Sequence, residues 1–153
     1  MAGKQHAQAL MRAIGPQLDL LEVTEFEDGK VWTLVVDETT VLFADYDDAH
    51  NRLVLSADVA QAPEAGRLQL YELLLQYNNQ WSETGGLRMA LDPGGGVVQL
   101  FELPVTDLDL VGLQTVVTRF VDVLGAWREI VSRADAAGAE PAAHPMLGGM
   151  IRG

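Results

Sequence analysis

The chain has 153 residues, with 22 acidic against 10 basic side chains and a formal net charge of −12. It contains no cysteine, which excludes disulfides, thiolate metal sites and cysteine nucleophiles. Proteins bind nucleic acid and anionic lipid through cationic side chains. The excess of acidic side chains therefore predicts that this protein binds neither nucleic acid nor a membrane. The absence of a secretory leader and of any apolar run approaching a membrane span favours a soluble cytoplasmic protein.

The first third of the chain reads as a helix followed by short strands. Apolar residues at helical spacing predict a helix over Lys4–Ile14, which Gly15 and Pro16 are expected to end. The segment 17–26 is ambiguous, because "LDLLEV" suits either an extended strand or a loose turn. Three runs rich in β-branched and aromatic residues, joined by tight polar turns, then predict an antiparallel meander. These strands are Val31–Val36, Val41–Tyr46 and Arg52–Val59.

A central helix is predicted over Leu68–Trp81, and it is apolar on nearly every side. One face carries Leu68, Tyr71 and Leu75, and the roughly opposite face carries more large apolar side chains. A small domain does not easily bury a helix on both sides, so we infer that one face meets a second subunit. A fully intramolecular central helix is the alternative.

The glycine-rich stretch "TGGLRMALDPGGGVVQLF" is a candidate phosphate loop. A Walker-type loop needs a lysine and a serine or threonine that open a helix, and neither follows Gly94–Gly96. Proline and glycines between two alternating apolar runs predict a hairpin turn instead. The two strands joined by this turn are expected to end at Asp92 and to run over Val97–Leu103.

A long amphipathic helix follows and is expected to reach Arg133. Thr106 with Asp109 approximates a capping box at its start, and apolar residues recur at steps of three and four. The Ala-, Gly- and Pro-rich residues 134–153 read as a flexible tail. The element order is α-β-β-β-α-β-β-α, which predicts a single α+β domain over residues 1–133 with an antiparallel sheet.

Catalytic and metal-binding signals are weak. The three histidines, His6, His50 and His144, have no metal-ligand spacing and are expected at the surface. Asp92 follows a strand, but its side chain equally suits the first position of a turn. We therefore expect no enzyme activity, no cofactor and no metal.

Apolar surface is the stronger signal. The strands "VWTLVV" and "VLFADY" carry apolar residues at both odd and even positions, so both faces of the sheet need cover. Helices can cover one face, while the other face or an exposed strand edge can bind an extended peptide. Burial of everything within one chain is the alternative.

The chain resembles the Tir-chaperone family, the class I chaperones of bacterial type III secretion. The resemblance covers about residues 4–133 and depends on the combination of "DGKVWTLVVDETTVLF", "LLLQYNNQWSETGGLRMALDPGGGVVQL" and "VVTRFVDVLGAWREIV". Within the second stretch the family's leucine-rich helix, its glycine turn and the strand closing on Leu-Asp correspond to Leu73, Leu74, Asn78, Trp81, Gly85, Gly86, Leu87, Leu91 and Asp92.

This resemblance implies a cytoplasmic bacterial homodimer that holds the extended N-terminal segment of a secreted effector and uses no nucleotide. The expected dimer-interface residues are Leu70, Leu74, Tyr77, Trp81, Leu87 and Met89. The expected effector-binding residues are Leu10, Met11, Ile14, Trp32 and Leu34. Two rivals remain: a dimeric scaffold of the same fold unconnected with secretion, and a domain that binds a small molecule.

Overall fold

The computed structural model describes residues 2–138 as an α+β fold with one six-stranded sheet in the order β1-β2-β3-β4-β6-β5. The predicted fold class is therefore confirmed. The helices are α1 (Ala2–Gln17), α2 (Arg67–Asn79), α3 (Trp81–Thr84) and α4 (Leu110–Gly138). The strands are β1 (Glu22–Phe26), β2 (Val31–Asp37), β3 (Thr40–Asp47), β4 (Arg52–Gln61), β5 (Arg88–Leu91) and β6 (Gly96–Pro104).

The described chain divides into two compact units. The first comprises residues 2–57 and 100–120, and the second comprises residues 58–99 and 121–138. The largest buried apolar side chains of the first unit are Met11, Ile14, Trp32, Leu34, Leu42, Leu53, Leu55, Leu113 and Phe120. Those of the second unit include Leu70, Leu74, Tyr77, Leu124, Trp127 and Ile130. The predicted domain boundary at residue 133 stays a prediction.

Strand β1 is absent from the predicted order, because its segment was left open between a strand and a turn. It pairs antiparallel with β2, with Glu22 opposite Val35 and Phe26 opposite Val31. Edge strands bury fewer side chains, and only Val23 and Thr24 of β1 are even half-buried. The apolar alternation that identifies a strand is therefore weak here.

Helix α1 continues past the residues that were expected to end it. Pro16 lies inside the last turn, where a missing backbone N–H removes only one intrahelical bond. The helix ends where Asp19 adopts a left-handed φ of 51° and the Leu20 N–H donates to the Gly15 carbonyl at 2.9 Å. This bond satisfies one of the carbonyls that a helix end leaves without a partner.

The predicted central helix is two helices. Gln80 has φ −90° and ψ 38°, which interrupts the helix between α2 and the single turn of α3. Gly85, with a φ of 69°, then ends α3 in the left-handed region that favours glycine.

The glycines after β5 turn the chain, as the sequence predicts. Asp92 Oδ1 accepts hydrogen bonds from the N–H groups of Gly94 at 2.8 Å and Gly96 at 2.9 Å. Gly95 has a φ of 83°. Asp92 therefore has a structural role in the turn between β5 and β6.

Helix α4 begins four residues later than the predicted cap at Thr106. Asp109 caps it, since its Oδ1 accepts a hydrogen bond from the Gly112 N–H at 2.7 Å. The Thr106 hydroxyl instead accepts one from Asn51 Nδ2 at 3.2 Å. The helix also extends five residues beyond the predicted end at Arg133, to Gly138. The remainder of the predicted tail, including His144, lies outside the described residues.

By length and composition alone, the stretch Leu110–Asp135 of α4 is apolar enough to cross a membrane, although the sequence predicts no such run. Core helices of soluble proteins share both properties. The buried side chains recur at helical steps of three and four, as on an amphipathic core helix. They are Leu113, Val117, Phe120, Leu124, Trp127, Ile130, Val131 and Ala134.

A charged cluster in the first unit joins the turn after β3 to β4 and β6. Asp47 Oδ2 accepts hydrogen bonds from Arg52 Nε at 2.8 Å and His50 Nδ1 at 2.9 Å. The Arg52 guanidinium also pairs with Glu102. The hydrogen bond from Arg52, followed by that from His50, lowers the pKa of Asp47 below its usual value.

We predict that Asp47→Asn destabilises the protein at pH 7 and has a smaller effect at pH 3. A carboxyl group whose pKa is depressed in the folded state adds stability above its unfolded pKa of about 3.9 and loses it as pH falls through the folded pKa. Urea unfolding at both pH values measures the difference. The exposed control Asp122→Asn should change little, and an equal loss of stability at both pH values for Asp47→Asn would contradict the prediction.

Candidate functional site

An open groove of about 640 Å³ lies beside the C-terminal half of α1 and the edge strand β1. All of its lining belongs to the first unit. The lining residues are Met11, Arg12, Gly15, Pro16, Asp19, Leu20, Leu21, Glu22, Val23, Glu25 and Trp32.

The floor of the groove is apolar. Met11 and Trp32 are buried, Val23 is half-buried, and Leu21 is 65% exposed at the rim. A Cβ at Gly15 would lie 3.2 Å from Val23 Cγ2, so glycine permits the close approach of α1 to β1. The indole N–H of Trp32 donates to Glu25 Oε1 at 3.3 Å, which satisfies the one polar atom of this side chain.

One edge of β1 is open beside this groove. The strand is the terminal member of the sheet and pairs only with β2 among the residues that the structure describes. An open edge presents backbone N–H and C=O groups that an extended peptide can use to join the sheet. The groove and the edge together match a binding mode in which an added peptide strand gains affinity from backbone hydrogen bonds. In that mode a neighbouring pocket supplies specificity by accepting alternate side chains of the peptide.

The rim of the groove carries more negative than positive charge. Asp19, Glu22 and Glu25 face one cation, Arg12, whose guanidinium lies 3.9 Å from Glu25. Neither Asp19 nor Glu22 has a cationic partner within the described part of the chain.

A second apolar surface lies on the sheet face that does not carry Trp32 and Leu34. Phe26, Val41 and Phe43 are 47%, 37% and 39% exposed on this face of the first unit. Phe43 of β3 lies opposite Thr33 of β2, and Thr33 lies opposite Thr24 of β1, so these three side chains share one face of the sheet. The expectation that the second sheet face carries spare apolar surface therefore matches the exposure of these side chains.

The second unit exposes apolar side chains on its two short helices. Leu68 and Leu75 lie two helical turns apart on one face of α2 and are 71% and 69% exposed. Trp81, the first residue of α3, is 71% exposed. The opposite face of α2 is buried, and Tyr77 there contacts Trp127 edge-to-face with ring centroids 5.2 Å apart. The helix is thus packed on one side only.

The residues predicted for effector binding all lie in the core of the first unit. Leu10 is 6% exposed, and the side chains of Met11, Ile14, Trp32 and Leu34 are at most 1% exposed. Met11 and Trp32 line the groove and the other three do not. These residues lie on the inward faces of α1 and β2, since apolarity predicts burial and docking alike, and their part in effector binding stays a prediction.

The residues predicted for the dimer interface behave similarly. Trp81 is exposed, whereas the other five are buried in the second unit. These five are Leu70, Leu74, Tyr77, Leu87 and Met89. Their part in a dimer stays a prediction, and the exposed apolar side chains on the same helices are Leu68 and Leu75.

The groove residues Leu20, Leu21 and Val23 are missing from the predicted site. They belong to the segment that the sequence left ambiguous. A usable signal was present, because "LDLLEV" places apolar side chains among acids immediately before a turn and a strong strand. An amphipathic edge strand has this composition.

Asn78 connects the exposed helix to the second edge of the sheet. Its Nδ2 donates to the Met89 carbonyl at 2.8 Å, and its Oδ1 accepts from the Met89 N–H at 2.9 Å. The side-chain amide thus binds the backbone of β5 as a neighbouring strand would. This pair of bonds holds β5 against the C-terminal end of α2.

The sequence profile of the Tir chaperone protein (CesT) family matches residues 9–128. The match covers most of the chain and includes the groove, the edge strand and the exposed helices. This chain belongs to the Tir chaperone family. The family's role is that of a chaperone and not of an enzyme, as the sequence predicts. A comparison with curated proteins found no match.

Solved structures of type III secretion complexes share the fold. The HopA1-SchA chaperone-effector complex matches with a TM-score of 0.68 at 20% identity, over 84% of this chain and 98% of that chain. The ExsC-ExsE complex matches with a TM-score of 0.71 at 19% identity, over 84% and 95%. The Yersinia pestis type III secretion chaperone SycH in complex with a fragment of YscM2 matches with a TM-score of 0.62 at 23% identity, over 79% and 98%.

The described residues offer no site for a metal. Among residues 2–138, no group of three or more His, Asp or Glu side chains is arranged to hold an ion. His6 and His50 are exposed, and each has a local partner: His6 Nε2 lies 2.5 Å from the Leu108 carbonyl, and His50 pairs with Asp47.

We predict that Asn78→Leu destabilises the Tir-chaperone-family protein by about 1–3 kcal/mol, because it leaves both backbone groups of Met89 without their partner. Amide hydrogen exchange at Met89 should accelerate as β5 separates from α2. The exposed neighbour Asn79→Leu is the matched control. Unchanged exchange at Met89 in Asn78→Leu would contradict the assigned role.

Proposed function

We propose that this chaperone is a homodimer of the bacterial cytoplasm that binds the extended N-terminal segment of a type III secreted effector. Binding keeps the segment soluble and competent for secretion. The observation that carries the proposal is the open edge of β1 beside an apolar groove in a chain of the Tir chaperone family.

The groove supports an unfolded rather than a folded guest. An extended segment can bond to the backbone of β1 while alternate side chains enter the groove towards Val23 and Met11. Burial of apolar surface contributes about 25 cal/mol per Å², from which the cost of ordering the segment is subtracted. The fold similarity to the HopA1-SchA chaperone-effector complex supports an effector as the partner.

The exposed helical face supports a homodimer. Leu68, Leu75 and Trp81 are each about 70% exposed, and several large apolar side chains exposed on neighbouring helices are typical of a protein–protein contact. A two-fold axis would bring the same patch of each subunit together and bury it. Tryptophan in the centre of such a patch is a typical hot-spot residue. We assign the dimer contact to this face, with Leu70 and Leu74 supporting it from beneath.

We predict that Trp81→Glu and Leu75→Glu each convert the dimer to a monomer. Truncating a tryptophan hot spot costs about 2–4 kcal/mol, and an added carboxylate must also be desolvated. Light scattering on a size-exclusion column measures the mass, and far-ultraviolet circular dichroism checks the fold. Val111→Glu, at a 68% exposed position in the first unit, is the matched control. A wild-type chain that is monomeric at 100 µM (roughly the upper end of assay concentrations) would contradict the dimer.

We also predict that Leu21→Asp weakens effector capture by about 10-fold or more, since burial of a leucine contributes about 1.5–3 kcal/mol. Tagged protein is purified from the bacterium that encodes it, and the captured proteins are identified by mass spectrometry. The captured protein should be a type III substrate that is lost when its N-terminal segment is deleted.

The control for this experiment is Val111→Asp, which is equally exposed but lies outside the groove. It should capture the effector as the wild type does. Equal capture by Leu21→Asp, or capture that survives deletion of the effector's N-terminal segment, would contradict the proposed site.

A further inference from the structure

The charge at the open edge of β1 restricts which side chains a bound peptide segment, the guest strand, can carry. Three carboxylates and one guanidinium line the groove, and the guanidinium of Arg12 is already close to Glu25. The side chains of Asp19 and Glu22 are both exposed and have no cationic partner in residues 2–138. The groove therefore presents a net negative rim over an apolar floor.

Charges elsewhere in residues 2–138 do not neutralise this rim. Glu27 and Asp28 continue the acidic run beyond the end of β1, and the nearby Lys30 ammonium lies 2.9 Å from Asp48. The whole chain has a net charge of −12, so long-range attraction also favours a cationic guest.

The register of an added strand determines where its charges lie. Val23 lies opposite Leu34 and Glu25 opposite Trp32, so these side chains share the inner face with the groove floor. Glu22, opposite Val35, lies on the other face together with Thr24. A strand bound at the edge of β1 would alternate in the same way, with one row of side chains entering the groove and the other row lying beside Glu22.

We propose that the guest strand is amphipathic and basic, with apolar side chains towards Val23 and Met11 and Lys or Arg beside Glu22 and Asp19. This inference deepens the proposed function and depends on it. The alternative use of acids on a sheet edge is to prevent two copies from pairing edge to edge. The acidic rim also opposes edge-to-edge pairing of two copies, because two such edges repel each other. A basic guest strand is attracted to the same rim.

Binding of three 12-residue peptides, in which Val alternates with Lys, Gln or Glu, tests the inference by fluorescence anisotropy on the full chain. Cross-strand charge pairs are individually modest, so we expect the Lys peptide to bind about 5-fold or more tightly than the Gln peptide at 50 mM salt. The Glu peptide should bind weakest. The advantage of the Lys peptide should shrink at 300 mM salt, because exposed charges are screened.

Two charge-matched double variants separate the rim from the overall negative charge. Asp19→Asn with Glu22→Lys changes the rim, and the asparagine tolerates the left-handed backbone at residue 19. Asp122→Asn with Glu64→Lys makes the same change of net charge at exposed positions outside the groove. The rim variant should lose the preference for Lys over Gln, and the distant variant should retain most of it.

The outcomes distinguish this inference from the proposed function. The inference is wrong if the Gln peptide binds and Leu21→Asp weakens that binding, but the Lys peptide binds no more tightly than the Gln peptide. It is also wrong if both double variants lose the preference for the Lys peptide equally. In either case the proposal of an edge-binding chaperone stands. If none of the three peptides binds, the inference and the edge site both fail.

Discussion

The open edge of β1 is the constraint on which the other features of this chaperone depend. The strand pairs on one side with β2, while α1 approaches it closely at Gly15 and leaves a groove rather than a sealed core. The backbone N–H and C=O groups along this edge are left for water or for a partner strand, and the half-buried Val23 lies beside them.

The groove of the first unit and the exposed helical side chains of the second unit differ in kind. The groove in the first unit combines an edge, a small apolar floor and a charged rim, which suits a flexible partner of defined chemistry. Leu68, Leu75 and Trp81 are exposed on helices, and such side chains suit a preformed and self-complementary partner. Both surfaces use apolar burial, but only the groove adds directional backbone bonds.

Sequence patterns identified the elements well wherever one face was buried. The β-branched and aromatic richness of Val31–Val36 and the three-four spacing in α4 give strong signals, because such side chains suit a buried strand or one buried face of a helix. The same logic failed at β1, whose exposed position weakens the alternation, and at Gln80, where two helical runs adjoin without a proline or glycine between them. It also placed the candidate site residues on inward faces, as with Leu34 and Leu70, since apolar type alone does not distinguish a core from a docking surface.

The sequence by itself determined the class of protein: an acidic, cysteine-free α+β chain whose hydrophobic pattern resembles the Tir chaperones and which has no catalytic motif. The acidic balance and the element types follow from composition and local periodicity, and the likeness to the Tir chaperones follows from the combination of three sequence stretches. Only the tertiary structure decided which apolar residues remain exposed, because exposure depends on which strand ends the sheet and which helix face meets the core. Leu21 and Glu22 line the groove beside the open edge only because of that arrangement, and "LDLLEV" by itself left their segment open between a strand and a turn.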